Sequence, residues 1–496
     1  MSPSPRSLSA LLGLLALAGC DLGPVFSRPP TDLPAAFRAS PATTAATWPA
    51  PDWWRGFASP ELDALIARAR EQNQDLAVAA ARVRQADAQA RIAGAALLPN
   101  IGLGGSAGWR QSNLGSGGQQ ITLQSRQYAA NVDIAYEVDF WGKNRATAEA
   151  AQASALASRF DQQTVALTVI TAVAQTWFSA LALQDRLDVA RRNLADAEQT
   201  LRVIRGRMDA GTADALAVAQ QEALVATLRA QIPNLRNQVE QQLIALGILT
   251  GQPPEAITTH PITTRPITSH PITSRLGTLT RLARPLVTPG LPAELLARRP
   301  DIASAEAQLI AANANIRAAR AAFFPSIQLT GAGGLQSAAL SSLFGPGAVL
   351  ASLAAGITQP IFDGGILRGR LELTEAQQDE LIALYRKSVL QALTDVASAL
   401  TATTLGAEQE DLQRQSVARA KRAADIARSQ LVAGTVDITA VLQAQVTLYA
   451  AQDNLVQARQ AYFLALLGLY KALGGGWTAA EIAAPGAASP AGENVQ

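Results

Sequence analysis

The chain has a single cysteine, and its setting predicts covalent chemistry. Cys20 directly follows Leu17, Ala18 and Gly19, which end a short apolar run that begins after Arg6. A positive residue, a short apolar run and a small-residue processing site make up a secretory signal, and the run is shorter than the roughly 20 residues that span a bilayer. We expect acylation of Cys20 after processing, as in bacterial lipoproteins; the alternative is an ordinary cleavage site beside an incidental cysteine. Since there is no second cysteine, we expect no internal disulfide.

Residue types that support catalysis or metal binding are otherwise scarce. The only two histidines, His260 and His270, lie in a tract of repeated Pro-Ile-Thr units (256–277) that contains no carboxylate or thiol. They could bind a metal in principle, but the composition favours an extended linker. The chain has no Gly-Lys-Ser/Thr loop for nucleotide phosphates. We therefore predict no catalytic residue, no metal, no cofactor other than the lipid on Cys20, and no enzymatic activity.

The charge balance bears on partners. The net charge is +2, and no basic block occurs along the chain. Nucleic acid binding normally needs a basic patch or stripe, so a nucleic-acid partner has no electrostatic support.

The chain repeats itself. Residues 75–107 align without a gap onto 301–333, and 208–223 align onto 431–446, with prolines and glycines at matching places. Chance similarity between alanine-rich helices could imitate part of this, but the matched Pro, Gly-Thr and Asp positions argue against it. The repeat predicts an internally duplicated fold in which any site occurs in two versions.

Long helical stretches precede and follow a matched turn in each copy. Residues 59–96 have a helical period, and 144–209 contain no proline and keep apolar residues spaced by threes and fours. A helix of about 66 residues is on the order of 100 Å long. A return helix to about Thr250 follows the first turn, and 366–432 and 438–473 repeat the scheme. Interspersed Arg, Asp and Gln argue against membrane spans; the alternative is a solvent-exposed coiled-coil stalk. The two turns contain Gly211, Thr212 and Asp214, and Gly434, Thr435 and Asp437.

Between these stretches the hydrophobic period changes to two. Residues 128–141 alternate apolar with polar or acidic side chains, 101–109 do so more weakly, and the second copy repeats the pair around 327–330 and 349–357. We expect four strands of about 9–11 residues, long enough for a tilted bilayer crossing, with Gly- and Ser-rich loops at 111–119 and 331–347. The alternative is an amphipathic sheet packed on helices in a soluble domain. Four strands cannot close a membrane barrel alone, so the sheet would have to close between chains, and three copies would give twelve strands.

These patterns divide the chain into six segments. We predict a signal peptide (1–19), a lipidated extended arm (20–52), a first repeat (53–252), a Pro-Ile-Thr-rich linker (253–290), a second repeat (291–477) and a C-terminal tail (478–496). Each repeat contains a helix, a strand pair and a long helical hairpin.

A set of motifs in a fixed order resembles one known family, the TolC-type outer membrane efflux factors in their lipidated NodT- or OprM-like branch. Any one of these motifs alone would be weak, and together at consistent spacing they are specific. They are Cys20 with Gly23-Pro24; Trp53-Trp54 with Phe57; Tyr136 to Gly142; Leu291-Pro292 with Arg299-Pro300-Asp301-Ile302; Pro360 to Gly365; and Tyr470 to Trp477.

The resemblance implies an α+β membrane protein that works as a homotrimer. Four transmembrane strands from each protomer form a 12-stranded β-barrel in the outer membrane, and a long α-helical barrel continues it through the periplasm. The resemblance also implies a periplasmic adaptor (membrane fusion protein) and an inner-membrane transporter as partners. The positions that correspond to adaptor contacts at the hairpin tips are Arg207, Gly211, Thr212, Asp214, Gly434, Thr435 and Asp437; plain helix termination would require the same residue types.

One position departs from the family pattern. Many relatives have Leu-Asp-Ala-Gln after the second tip, where this chain has Leu442-Gln443-Ala444-Gln445. Gln443 is the corresponding candidate for the periplasmic constriction, and its neutral amide would weaken cation binding there.

The function implied is an outer membrane exit duct of a tripartite efflux system, passing small molecules and drugs from the pump and adaptor to the outside. The alternatives are the duct of a metal-cation or type I protein-secretion system, or a non-conducting lipid-anchored periplasmic scaffold. The expected location is the outer membrane, lipid-anchored and extending into the periplasm. Asp21 is similar to a signal that retains lipoproteins in the inner membrane of some bacteria.

Overall fold

The computed structural model describes residues 26–37, 48–116, 119–253, 277–287, 290 and 292–477. For 114–116 and 119–121 the backbone alone is described. Cys20, His260 and His270 lie outside the described residues, so what we expect of them stays a prediction.

Within the described residues, the α-helices form two series of the same order. In each series a helix of 67 residues is followed by a return helix of 35 residues. The predicted internal duplication and the long helices are confirmed, and each 67-residue helix is about 100 Å long at 1.5 Å per residue. The helices are α1 (Pro60–Gln72), α2 (Gln74–Ala95), α3 (Lys143–Asp209), α4 (Ala215–Leu249), α5 (Pro292–Leu295), α6 (Pro300–Ala321), α7 (Ile366–Val432) and α8 (Ile438–Ala472).

The prediction of one continuous helix over 59–96 was wrong, because Asn73 divides it into α1 and α2. The Asn73 Oδ1 accepts hydrogen bonds from the backbone N–H of Asp75 (2.9 Å) and Leu76 (3.1 Å). Its Nδ2 donates to the carbonyl of Leu249 at 2.8 Å. The side chain thus caps the start of α2 and fixes the break in place. The apolar period runs through the break and gives no sign of it.

The sheet contains four antiparallel strands in the order β1-β2-β3-β4. The first repeat supplies two strands and the second repeat the other two, so β2 and β3 join the repeats. Among the described residues, the outer edges of the first and last strands pair with no further strand. The strands are β1 (Asn100–Ser116), β2 (Gln119–Val138), β3 (Ser326–Ser337) and β4 (Val349–Thr358).

The predicted limits of three strands were wrong. β1 and β2 have 17 and 20 residues, not 9–11, and pair through most of the expected loop at 111–119. β3 likewise runs to Ser337, into the expected loop at 331–347. Backbone ladder bonds do not require alternating side chains, so pairing continues beyond the amphipathic part of each strand. Glycine also has a packing role in the sheet: a Cβ on Gly334 would lie 2.2 Å from the carbonyl oxygen of Ala130.

Apolar side chains on the sheet are exposed in the single chain. Leu103 and Leu353 are 86% and 88% exposed, and every residue of β4 is exposed. A sheet that leaves its apolar face uncovered and its edges unpaired matches a lipid-facing segment of an incomplete barrel.

The described chain divides into two compact units. The first contains the sheet and the starts of α3 and α7, and the second contains the core cluster and the rest of the helical hairpins. Among the described residues, the first unit comprises 26–30 and those within 83–158 and 304–385; the second comprises those within 31–82, 159–303 and 386–477.

An aromatic cluster lies at the centre of the second unit. The Phe57 ring, fully buried, meets the rings of Phe178 and Tyr470 at centroid distances of 5.0 and 6.0 Å, and Trp53 stacks on Tyr470 at 4.7 Å. Within the described part of the chain, one helix, α3, has a stretch long and apolar enough to cross a membrane by length and composition. More than half of that stretch is buried, and Phe178 and its neighbour Trp177 belong to this cluster, so core packing accounts for the apolar composition.

The segment 277–287 is fixed against the hairpins by a buried carboxylate. Glu410 on α7 is 1% exposed, and its Oε1 accepts hydrogen bonds from Arg284 Nη2 (2.7 Å) and Arg459 Nε (3.0 Å). Burial raises the pKa of Glu410, but the hydrogen bonds and charges of the two arginines outweigh it and leave the pKa below its usual value. Arg284 also lies over the Tyr462 ring at 5.3 Å. This Glu410 cluster was not anticipated from the sequence.

Candidate functional site: the two hairpin turns

The first hairpin turn follows the end of α3 and has the geometry of a Schellman motif. The N–H of Thr212 donates to the carbonyl of Arg207 at 2.7 Å, and the N–H of Gly211 donates to the carbonyl of Met208 at 2.9 Å. Gly211 has a φ of 71°, in the left-handed region. These are the two bonds, six-to-one and five-to-two, that close such a helix end.

The second turn, after α7, repeats this geometry bond for bond. Thr435 donates to the carbonyl of Gln430 at 3.0 Å, Gly434 donates to the carbonyl of Leu431 at 3.1 Å, and the φ of Gly434 is 72°. Gly211 and Gly434, which were predicted to correspond, therefore occupy equivalent positions in the structure.

Glycine is needed here for its backbone and not for lack of room. A Cβ built on Gly211 or Gly434 would meet no atom within 4 Å. The cost of a side chain is therefore the left-handed conformation, about 1–2 kcal/mol for an ordinary L-residue. The following threonine strengthens each turn, since the Oγ1 of Thr212 and Thr435 bonds the same carbonyl as its own N–H, at 3.0 and 3.2 Å.

An aspartate begins the return helix after each turn. Asp214 Oδ1 accepts from the N–H of Ala217 at 2.8 Å, a standard N-cap of α4. Asp437 Oδ1 accepts from the N–H of Ile438 at 2.6 Å, and its Oδ2 accepts from Thr439 Oγ1 at 2.9 Å. Both aspartates therefore cap helices and also place a carboxylate at the end of the hairpin.

Arg207 joins the two hairpins. Its Nη1 donates to the carbonyl of Leu431 at 2.9 Å, in the last turn of α7. A guanidinium at a helix C-terminus satisfies a free carbonyl and interacts favourably with the helix dipole. The structure thus brings Arg207 from the first turn into contact with the second.

Three more polar contacts between the hairpins were missed by sequence reasoning. Gln445 Nε2, on a 1% exposed residue, donates to Thr200 Oγ1 at 2.9 Å; Arg428 contacts Asp196 at 3.5 Å; and Arg186 forms a two-bond pair with Asp453. The available signal was a polar residue on an otherwise apolar helix stripe, as at Gln445. That signal does not identify the partner, because the sequence of one helix does not determine its register against another helix.

A cleft of about 440 Å³ opens above these contacts, between α3, α4 and α8. Tyr449 lines it, and the buried Tyr449 hydroxyl has no hydrogen-bond partner among the described residues. Burial is the main cause that raises the pKa of Tyr449 to about 12, so the phenol stays protonated.

Comparison with known families decides what kind of protein has these features. The family model described as outer membrane efflux protein matches residues 65–252 and 291–475, which correspond to the two series of elements. The chain belongs to the outer membrane efflux protein family.

Relatives and solved structures agree over almost the whole length. The chain is 40% identical over 488 residues to the pyoverdine export outer membrane protein OpmQ of Pseudomonas aeruginosa, covering 96% of this chain and 98% of that protein. It is 30% identical over 480 residues to the cation efflux system protein CusC of Escherichia coli O6:H1, covering 96% and 99%. The structure of the outer-membrane channel OprN superposes with a TM-score of 0.83 at 27% identity, covering 92% of this chain and all of that one.

Membership of the efflux family confirms the predicted family, fold class, outer membrane location and efflux role. The family is one of channels and not of known catalysts. Within it, the exposed Gln443 lies on α8 two residues before the buried Gln445. Its side chain makes no hydrogen bond among the described residues.

Proposed function

We propose that three copies of this chain form a closed exit duct in the outer membrane, driven by an inner-membrane transporter through a periplasmic adaptor. The observation that carries the proposal is the four-stranded sheet with two unpaired edges, β1 and β4. In hydrocarbon each unpaired backbone group costs several kcal/mol, so these edges need strands from neighbouring copies. Three copies give twelve strands, above the roughly eight of the smallest membrane barrels.

The partner-facing end of the duct is the ring of turns. With two turns in each chain, three copies present six similar tips, and the Gly-Thr pair of each has the same backbone bonds and the same positive φ at glycine. The adaptor docks on these tips, at Gly211, Thr212 and Asp214 and at the equivalent positions of the second turn. Arg207, which holds the two turns together, sets their spacing.

The duct is passive and lipid-anchored. Cys20 is acylated and becomes the mature N-terminus; the lipid is the sole non-protein group. Nothing in the sequence supports nucleotide, metal or nucleic acid binding, so the energy for transport comes from the pump. At the constriction, Gln443 offers an uncharged amide and gives no charge-driven gate.

Relatives differ in what their names say they export, pyoverdine for OpmQ and cations for CusC. We infer that this duct leaves selection to its pump and adaptor and carries small molecules. A strain that lacks this duct and its pumps, given the duct back together with candidate pumps one at a time, should regain resistance to a drug or metal with only one of them. Resistance restored by the duct without any pump would contradict a passive duct.

The oligomer is tested on the detergent-extracted protein. We expect a mass of three protomers by native mass spectrometry and ion conductance in planar bilayers once the tips are opened by substitution. A folded, detergent-free monomer, or a trimer without conductance, would instead support a non-conducting scaffold.

A further inference from the structure

The N-terminal arm is joined to α6 by an ion pair that contains three hydrogen bonds. Arg28 Nη2 donates to Glu306 Oε1 (2.8 Å) and Oε2 (2.7 Å), and Arg28 Nε donates to Oε1 at 3.0 Å. Glu306 lies on α6 and is 21% exposed, whereas Arg28 is 53% exposed. Fork-shaped pairs of this kind fix orientation as well as distance, which single-bond surface pairs do not.

A buried tyrosine feels the charges of the same ion pair. Tyr385 on α7 is fully buried, and its hydroxyl has no hydrogen-bond partner among the described residues. Burial is the main cause that raises the pKa of Tyr385, while the charge of Arg28 lowers it and that of Glu306 raises it. The seat for the arm is the ion pair itself, which we call the arm seat (Arg28, Glu306).

The arm seat limits how far Cys20 can lie from α6. Arg28 is eight residue steps from Cys20, so an extended chain spans at most about 26–29 Å between them. From Glu306 to Ala321, the end of α6, the helix rises about 22 Å at 1.5 Å per residue. β3 begins at Ser326, five residues after that end. The tether is thus just long enough to bring Cys20 to the base of the strands while Arg28 stays seated.

We propose that the arm seat positions the lipid anchor, holding the arm along α6 so that the acyl chains on Cys20 enter the membrane leaflet at the base of the sheet. The inference rests on the proposed acylation of Cys20. Arg28 is a positioning residue: it binds no cargo and acts through the arm. The partner of this surface is the chain's own lipidated N-terminus.

The first experiment measures release of the arm from the full-length, membrane-extracted protein. Limited elastase digestion with mass spectrometry follows cleavage within residues 26–37 for wild type, Arg28→Glu, Glu306→Arg and the double charge swap. We expect cleavage about 3- to 5-fold faster in each single variant, the size of effect that losing a surface ion pair has on a local opening equilibrium, and a return towards wild type in the double variant. Arg320→Glu is the matched control. Arg320 lies on α6, as Glu306 does, but its ion pair is with Glu375 of α7 at 3.0 Å and not with the arm.

The second experiment tests the tether length. Deleting residues 22–25 leaves four residue steps between Cys20 and Arg28, or about 14 Å, which is less than the roughly 22 Å to the end of α6. When the acyl chains are held in a bilayer, Arg28 can then no longer reach Glu306, so this comparison is made on the protein in lipid vesicles. We expect the deletion to speed arm cleavage as Arg28→Glu does, and Cys20→Ser to abolish that increase by removing the lipid.

Each outcome tests a separate part of the proposal: the ion pair, the acylation or the tether length. Wild-type cleavage rates in both single variants, or equal acceleration by Arg320→Glu, would overturn the arm seat. An unmodified Cys20 in the mass of the wild-type N-terminal peptide would overturn acylation, and the positioning role with it, while the charge-swap result would still report on the ion pair. Faster cleavage of the deletion variant even with Cys20→Ser would contradict the tether argument alone.

Discussion

Substitutions of Gly434 can distinguish its role in the backbone conformation of the turn from a role in contacting the adaptor. Because a Cβ at Gly434 meets nothing within 4 Å, any loss of stability comes from its φ of 72°. Asparagine tolerates the left-handed region, whereas a β-branched residue does not. We expect Gly434→Asn to keep the turn and Gly434→Val to destabilise it by about 1–2 kcal/mol.

The local turn, not global melting, reports this difference. Opening of the turn breaks the bond from the Thr435 N–H to the Gln430 carbonyl, 3.0 Å in the folded chain. A change of 1–2 kcal/mol speeds exchange of that amide roughly 5- to 30-fold. Hydrogen exchange by mass spectrometry on the extracted protein should show this for Gly434→Val and little change for Gly434→Asn.

An export assay then distinguishes loss of the turn's structure from loss of adaptor docking. The asparagine side chain projects into the open space at the tip, where the adaptor is proposed to sit, so Gly434→Asn should form intact trimers that bind the adaptor poorly and export less. Gly211→Asn is the matched variant at the equivalent turn. Equal exchange rates for the asparagine and valine variants would refute the conformational argument. Full export by Gly434→Asn and Gly211→Asn would refute the tip assignment.

Three further changes follow from the structure. Thr200→Val should cost about 1–3 kcal/mol in unfolding free energy because it leaves the buried Gln445 amide without its partner, while the double change with Gln445→Met should recover most of that loss, as a double-mutant cycle would show. Leu353→Arg should destabilise the membrane-inserted protein by about 2–4 kcal/mol in denaturant titrations, whereas Ser352→Arg, on the opposite face of β4, should cost much less; equal effects would contradict the lipid-facing assignment. Glu410→Gln should lower the free energy of unfolding by about 2 kcal/mol at neutral pH. Because the pKa of Glu410 is lowered in the folded protein, this contribution is present above the unfolded pKa near 4 and is lost as the pH falls through the folded pKa. Melting curves of wild type and variant should therefore converge in acid.

The long helices were predictable because their limits are local. Absence of proline and a steady apolar period mark α3 and α7, and a Gly-Thr pair ends each one, so the predicted 144–209 and 366–432 differ from the observed helices by one residue at most. The turn residues follow from the same chemistry. A glycine with positive φ, a threonine and a capping aspartate are all determined within a few residues of one another.

The parts that sequence reasoning missed depend on partners distant in the chain. The ends of β1 and β2 are set by pairing with one another, as in Gly108 opposite Gln127, and not by their own alternation. Asn73 divides two helices partly by bonding Leu249, 176 residues away. Glu410 reads as one more polar residue on a long helix until Arg284 and Arg459 are placed beside it. Each needs the tertiary register, which no single segment encodes.

The two repeats share the residues of the hairpin turns but not the residues that join one hairpin to the other. With the offset of the two turns, Arg207 corresponds to Gln430 and Thr200 to Ala423, so the residues that join the hairpins differ between repeats, while the Gly-Thr-x-Asp turns do not. Arg207 caps the last turn of α7, and Gln430 makes no reciprocal side-chain bond among the described residues. This contact at the tips is therefore one-way: Arg207 of the first turn supports the second turn. Substituting Arg207 should loosen the turn at Gly434 more than the one at Gly211, and equal hydrogen exchange at both turns in Arg207→Ala would show that the duplication is energetically symmetric after all.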